Sequence, residues 1–264
     1  LDYINAMVLG VIEGITEFLP ISSTGHLLIA EHWAGERSDT FNIVIQAGAI
    51  LAVTIIYWRR LASLVVGWRQ PENRAYAGKL IVAFLITAIL GLIAKKLGFA
   101  LSENVTPIAW ALIIGGFWII AAEWIAAKQR DRVKISWTVA IVVGLAQIVA
   151  GIFPGTSRSA ATIFAAMLAG TSNRAAATEF AFLVGIPTMF AASAYQLYGE
   201  IKQGGGHEDW TALGIAFVVS TFTAFIAVKW LLGYIQSHRF TVFAIYRIIF
   251  GAALLGMAAL GWVS

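Results

Sequence analysis

Six stretches of the chain stay almost entirely apolar for roughly the 20 residues a helix needs to cross a bilayer: 41–58, 79–96, 107–128, 175–198, 210–232 and 241–263. Two more, 2–33 and 136–170, are equally apolar but are broken midway by proline-led polar turns. The first turn reads Pro20-Ile21-Ser22-Ser23-Thr24-Gly25-His26, the second Pro154-Gly155-Thr156-Ser157-Arg158-Ser159. Each broken region reads as two half-length helices that enter and leave on one side. Non-helical backbone at membrane depth is tolerated only where protein buries it or a cavity faces it. The pattern predicts an all-α polytopic membrane protein with six transmembrane helices and two re-entrant helix hairpins.

The loops fit this count. Arg59, Arg60, Arg69, Arg74 and Lys79 follow the first span against a single Glu72, and Lys128, Arg130, Arg132 and Lys134 follow the third against Asp131. Both stretches are expected to face the cytoplasm. Alternation then places the acid-rich segments 31–39 and 200–209 outside. Lys95 and Lys96, also on the outer side, are the one weak fit. A straight eight-crossing bundle satisfies the same charges, so the mid-segment turns decide for the hairpins.

The two halves repeat. Gly10-x-x-Glu13 matches Gly144-x-x-Gln147, and Pro20 matches Pro154. Ala83-Phe84 and Thr87 echo Ala216-Phe217 and Ser220; Ala109 and Gly116 echo Ala244 and Gly251. The offsets stay between 133 and 135 positions, which argues against chance similarity of apolar helices. One membrane domain is expected, with residues 1–134 as the first repeat and 135–264 as the second. Each half holds one hairpin and three crossings. Three is odd, so the second repeat is inverted, and the hairpin tips meet near the midplane, where inverted repeats with broken helices place ligand sites.

Composition narrows the classes. Only 12% of residues are charged and 59% are hydrophobic, against about 25% charge in soluble domains. No basic face or reader motif suggests nucleic acid. Cysteine is absent, which excludes disulfides, thiolate metal sites and thiol catalysis. The first apolar stretch carries two acids and lacks a basic n-region, so no cleavable signal is expected.

The chemistry gathers at the turns. Glu13 and Glu17, four apart, share one helix face. With Arg158 they would cost roughly 8–10 kcal/mol unpaired at the bilayer centre, so pairing, water or a ligand must compensate. A plain salt bridge between the hairpins would account for Arg158 and one acid, but not for the second acid, His26 and the hydroxyls. Ser22 and Thr156 stand where N-caps of the second half-helices are expected, with free N–H groups facing a cavity. Ser22, Ser23, Thr24, Thr156, Ser157 and Ser159 together exceed what two caps need. Arg158 offers a planar fork suited to phosphate oxygens, so a phosphate ligand is expected. His26, one turn into its helix and within reach of Ser23, suits acid–base work. Glu13 and Glu17 suit a divalent cation, Mg²⁺ or Ca²⁺, shared with substrate phosphates.

The run Glu13-Gly14-Ile15-Thr16-Glu17-Phe18-Leu19-Pro20-Ile21-Ser22-Ser23-Thr24-Gly25-His26 resembles the first signature of the bacterial undecaprenyl-diphosphate phosphatase family, also known for bacitracin resistance. The turn from Pro154 to Ser159 resembles its second signature, and Glu179-Phe180-Ala181-Phe182-Leu183 and Phe243-Ala244-Ile245-Tyr246-Arg247 resemble further family stretches. The resemblance spans essentially the whole chain. It implies an inner-membrane enzyme, commonly a homodimer, that hydrolyses a polyprenyl diphosphate lipid from a site opening outward. It also implies roles: Glu13 and Glu17 as the acidic motif, Ser23 and His26 as the hydroxyl–imidazole pair, Arg158 as the phosphate clamp. Sequence leaves open whether water or Ser23 attacks. A lipid-phosphate flippase or anion transporter remains the rival, because broken inverted repeats serve transport equally well. An intramembrane serine protease is disfavoured, since Ser23 and His26 share one turn and no Gly-x-Ser-x-Gly elbow exists.

Overall fold

The turns at Pro20 and Pro154 do break their apolar regions into half-length helices. The computed structural model describes residues 2–98, 104–202 and 209–263, and all regular elements among them are helical. The first region becomes α1 (Asp2–Thr16) and α2 (Ser23–Ala34), followed by α3 (Asp39–Ile56), α4 (Trp58–Val66), α5 (Pro71–Lys96) and α6 (Val105–Ala126). The second region becomes α7 (Trp137–Ile152) and α8 (Arg158–Leu168), followed by α9 (Arg174–Lys202), α10 (Trp210–Tyr234) and α11 (Thr241–Ala259). α3, α5, α6, α9, α10 and α11 are long and apolar enough to cross a membrane. The protein is a multi-pass membrane protein. Of the acid-rich segment 200–209, residues 203–208 lie outside the described residues.

Local chemistry sets the helix starts. Ser38 Oγ accepts from Phe41 N, Ser136 Oγ from Val139 N, and Asp209 Oδ1 from Thr211 N and Ala212 N. Each satisfies a donor that has no partner inside its helix. Pro71 stands in the first turn of α5, where a missing N–H costs nothing. α5 therefore begins eight residues before the expected span, and α4 occupies part of the expected basic loop. With Val65 and Val66 exposed beside Trp58 and Trp68, α4 suits a helix lying in the headgroup layer.

Packing repeats as the sequence does. Gly10 of α1 meets the backbone of Ala216 in α10, and Gly144 of α7 meets that of Ala83 in α5. A Cβ on either glycine would stand 2.6 or 2.8 Å from the facing carbonyl oxygen, so only glycine allows the approach. Both pairs run in the same direction, each joining one half's hairpin to the other half's span. α6 and α11 pair antiparallel, with Gly116 on Ala244 and Gly251 on Ala109. These reciprocal contacts are compatible with two inverted halves. The halves differ in burial, however. Ala160, Ile163, Phe164, Ala166 and Met167 of α8 are all in the main core, whereas Gly25 alone is buried in α2. α2 is left to border cavities.

Candidate active site

Both turns end in a serine forced into the left-handed region: Ser22 at φ 71° and Ser157 at φ 67° are the described non-glycine residues with positive φ. Such backbone is held only where surrounding structure compels it and is common at functional sites. These serines are the N-caps, so Ser23 and Arg158 are the first residues of α2 and α8. The expected cap at Thr156 is corrected to Ser157. Gly155, at φ 88°, sets the second cap one residue further from its proline than the first.

The caps are used differently. Ser157 Oγ accepts from Ala160 N (3.3 Å) and bonds Ser159 Oγ (3.0 Å), which donates to Leu19 O of the other turn (3.1 Å). Ser22 caps nothing with its side chain, and its buried Oγ has no partner. The second turn spends these two serine hydroxyls on its own helix start and on the backbone of the first turn; the first keeps one hydroxyl and the α2 N-terminus for a ligand.

Between the tips, Ser23 Oγ donates to Glu17 Oε2 at 2.6 Å, and Arg158 Nη2 donates to Glu17 Oε1 at 2.8 Å. A hydroxyl, a carboxylate and a guanidinium from both halves thus form one chain. Glu13 stands beside it, 1% exposed, with neither carboxylate oxygen hydrogen-bonded. Two cavities meet here. One of about 610 Å³ is walled by Glu17, Ser23, Thr24 and Arg158; the other, about 520 Å³, by Glu13, Ser23 and Thr24.

His26 is placed otherwise than expected. Its Nδ1 bonds Ser22 O and its Nε2 bonds Tyr246 OH, both at 2.7 Å, and its ring stacks on Phe250 at 4.3 Å. It anchors the first turn to α11 instead of touching Ser23. Thr156 contributes its carbonyl, not its hydroxyl, through Arg247.

Arg247 is the residue sequence reading undervalued. It is 0% exposed and uses Nε on Leu112 O, Nη1 on Pro20 O and Thr156 O, and Nη2 on Ala111 O and Gly155 O, at 3.0–3.4 Å. All five guanidinium donors are satisfied. It staples both turns to α6. A lone arginine in an apolar helix was the available signal. Glu179, the other polar residue of the resembling stretches, lies apart with Arg60 (3.2 Å) and Tyr76 (3.5 Å).

The match to known proteins covers the same regions. The bacitracin resistance protein BacA family matches residues 6–253. A protein of Rhizobium johnstonii named undecaprenyl-diphosphatase is 76% identical over the full length of both chains. One of Rhizobium etli with that name is 75% identical over the full length of both. A Xanthomonas euvesicatoria protein of the same name is 61% identical over 96% of each. With a hydroxyl–carboxylate–guanidinium chain at the meeting of two signature turns, and identity of this extent, the chain belongs to the bacitracin resistance protein BacA family.

Proposed function

We propose that the protein hydrolyses undecaprenyl diphosphate to undecaprenyl phosphate and inorganic phosphate, returning the lipid carrier to peptidoglycan synthesis. The observation that carries this is the 2.6 Å bond from Ser23 Oγ to Glu17 at an uncapped helix N-terminus. A carrier of anions has no use for a serine bonded to a base; a phosphatase does. The relatives' names support the same substrate.

In the mechanism we infer, the terminal phosphate enters beside the α2 N-terminus and takes Arg158 as its partner. Glu17 accepts the Ser23 proton as Oγ bonds the terminal phosphorus and the bridging P–O bond breaks. Undecaprenyl phosphate leaves with the bridging oxygen. Glu17 passes its proton to the departing oxygen and, a carboxylate again, deprotonates the water that attacks the phosphoserine phosphorus; the Oγ–P bond breaks, Oγ regains a proton from Glu17, and phosphate leaves. Arg158, Ser22 and the α2 N–H groups are aimed where charge accumulates, the main protein contribution to phosphoryl transfer. His26 holds the turn through Ser22 O and Tyr246.

A divalent cation fits this site. Glu13 presents two buried oxygens without partners, while both Glu17 oxygens are taken. No group of three or more His, Asp or Glu suited to a metal exists among the described residues. One carboxylate completed by water and substrate phosphate suits Mg²⁺ better than Ca²⁺. Bound there, the ion would neutralise charge on the substrate's phosphates. Glu17 then serves as base and Glu13 as ligand, dividing the pair that sequence assigned jointly.

The orientation proposed is cytoplasmic for the basic stretches around α4 and 128–134, which opens the cavities outward, in the inner membrane. Assembly as a homodimer belongs to the same reading and is checked by crosslinking in membranes. The central test is phosphate release from undecaprenyl diphosphate by purified protein, with and without chelator. Release that requires metal and disappears in Arg158→Ala is expected. Stable protein that binds the lipid without hydrolysis would refute the phosphatase and favour the flippase. Ser23→Ala retaining most turnover would exclude the serine nucleophile and leave water.

A further inference from the structure

The two cavities that share Ser23, Thr24, Gln46 and Gln196 differ sharply in charge. The wall of the smaller carries Glu13, Glu31, Glu36 and Asp39 against Arg37. The larger carries Arg158 and Lys95, and its one carboxylate, Glu17, is already bound to Arg158. It runs from the Ser23 hydroxyl along α5, α7 and α9 to Lys95 near the end of α5. Its volume, about 610 Å³, holds roughly twenty waters at about 30 Å³ each.

Gln147 lies in its wall, 4% exposed. Thr87 Oγ1 donates to Ala83 O and Gly144 O, both at 3.0 Å, and Thr188 Oγ1 donates to Val184 O at 2.9 Å. With their protons on those carbonyls, both hydroxyls accept from the Gln147 amide nitrogen, at 3.0 and 3.4 Å. The carbonyl Oε1 is left buried and without a partner. Gln147 holds the place in the second half that Glu13 holds in the first. A carboxylate there would repel an anion; the amide accepts a hydrogen bond and carries no charge.

An occupant of this cavity must bring negative charge for Arg158 and Lys95 and a proton for Gln147. Inorganic phosphate near neutral pH has both, as one or two P–OH groups. The internal phosphate of a diphosphate ester has no such proton. We propose that the larger cavity is a holding and exit site for released inorganic phosphate, with Gln147 reading its hydroxyl and Lys95 drawing it to the mouth. This rests on the phosphatase reading. It also accounts for Lys95, the cation that the orientation rule leaves out of place on the outer side.

The test is equilibrium binding of inorganic phosphate to the purified full-length protein in detergent, followed by ³¹P line broadening. Sulfate, which carries no proton near neutral pH, is the competing probe. Wild type is expected to prefer phosphate over sulfate, and Gln147→Leu to lose that preference. Lys95→Glu, at an exposed position, is expected to weaken phosphate by about fivefold or more. Unchanged phosphate affinity in Lys95→Glu, or equal affinity of wild type for the two anions, overturns the proposal. Hydrolysis of undecaprenyl diphosphate, measured on the same wild-type preparation, reports separately on the phosphatase reading.

Discussion

Arg247→Lys isolates what the buried guanidinium does, because it keeps the charge and removes the fork. Arg247 satisfies five backbone carbonyls, three of them in the two turns. Lysine has three donors, so at least two of those five bonds are lost. At about 1.5–3 kcal/mol for each charge-assisted bond, the destabilisation is about 3–6 kcal/mol. For a chain of this size that lowers the thermal midpoint by about 6–24 °C. The guanidinium fork ties the turn of Ser23 to that of Arg158, so without it the nucleophile and the clamp also lose their mutual registration. Misplacement by about 1 Å costs on the order of 10²-fold in rate. The expected outcome is a large fall in kcat with KM for the lipid little changed, since the tail still binds. Thermal unfolding in detergent and steady-state phosphate release measure the two effects. A variant within about 2 °C and about threefold of wild type would refute the staple.

Other outcomes follow from the same geometry. Glu13→Gln removes a buried carboxylate that bonds nothing, so stability is expected to hold or rise while turnover falls by about 10²-fold or more, an opposition read by the same two assays. Glu123 is held bidentately by Arg174 and accepts from Phe240 N. Glu123→Leu strands that arginine and is expected to cost about 3–5 kcal/mol, visible as a lower thermal midpoint with KM intact. Gly10→Ala and Gly144→Ala each drive a methyl into a facing carbonyl and are expected to destabilise alike, by about 1–3 kcal/mol, in thermal unfolding. Markedly unequal effects would contradict the reciprocal packing.

The spans were legible because the bilayer imposes a length on apolar runs, and the turns because proline and hydroxyls interrupt those runs. What lies outside the hydrocarbon was not. Pro71, Glu72, Asn73 and Arg74 are helical in α5 but polar, so an apolar count starts the helix late. α4 has nine residues and two arginines and reads as loop. Aligning the turns on their prolines put the second cap at Thr156, since nothing in the letters announced that Gly155 would take a positive φ and set the cap one residue further from the proline. For His26, spacing pointed to Ser23; the imidazole instead met the Ser22 carbonyl and Tyr246, which is 220 positions away. Arg247 was hardest, because all its partners are backbone carbonyls and those carry no sequence identity.

The two halves share their packing and differ in chemistry at matched positions, and the difference is what makes a site. Ser23 and Arg158 both open their half-helices; Glu13 and Gln147 both stand one turn beyond a glycine contact. A pair of identical tips would set either two carboxylate pairs or two arginines around one phosphate. The first arrangement repels the substrate. The second holds it and supplies no base. In the proposed mechanism, dividing the roles gives the first tip a base, a nucleophile and a free cap, and gives the second a clamp whose own hydroxyls are spent on holding the turns together. The burial follows the roles: α8 is packed into the core and fixes Arg158, while α2 is left between two cavities of unlike charge where a substrate has to arrive. Symmetry brings the tips together, and the chemistry depends on its being broken there.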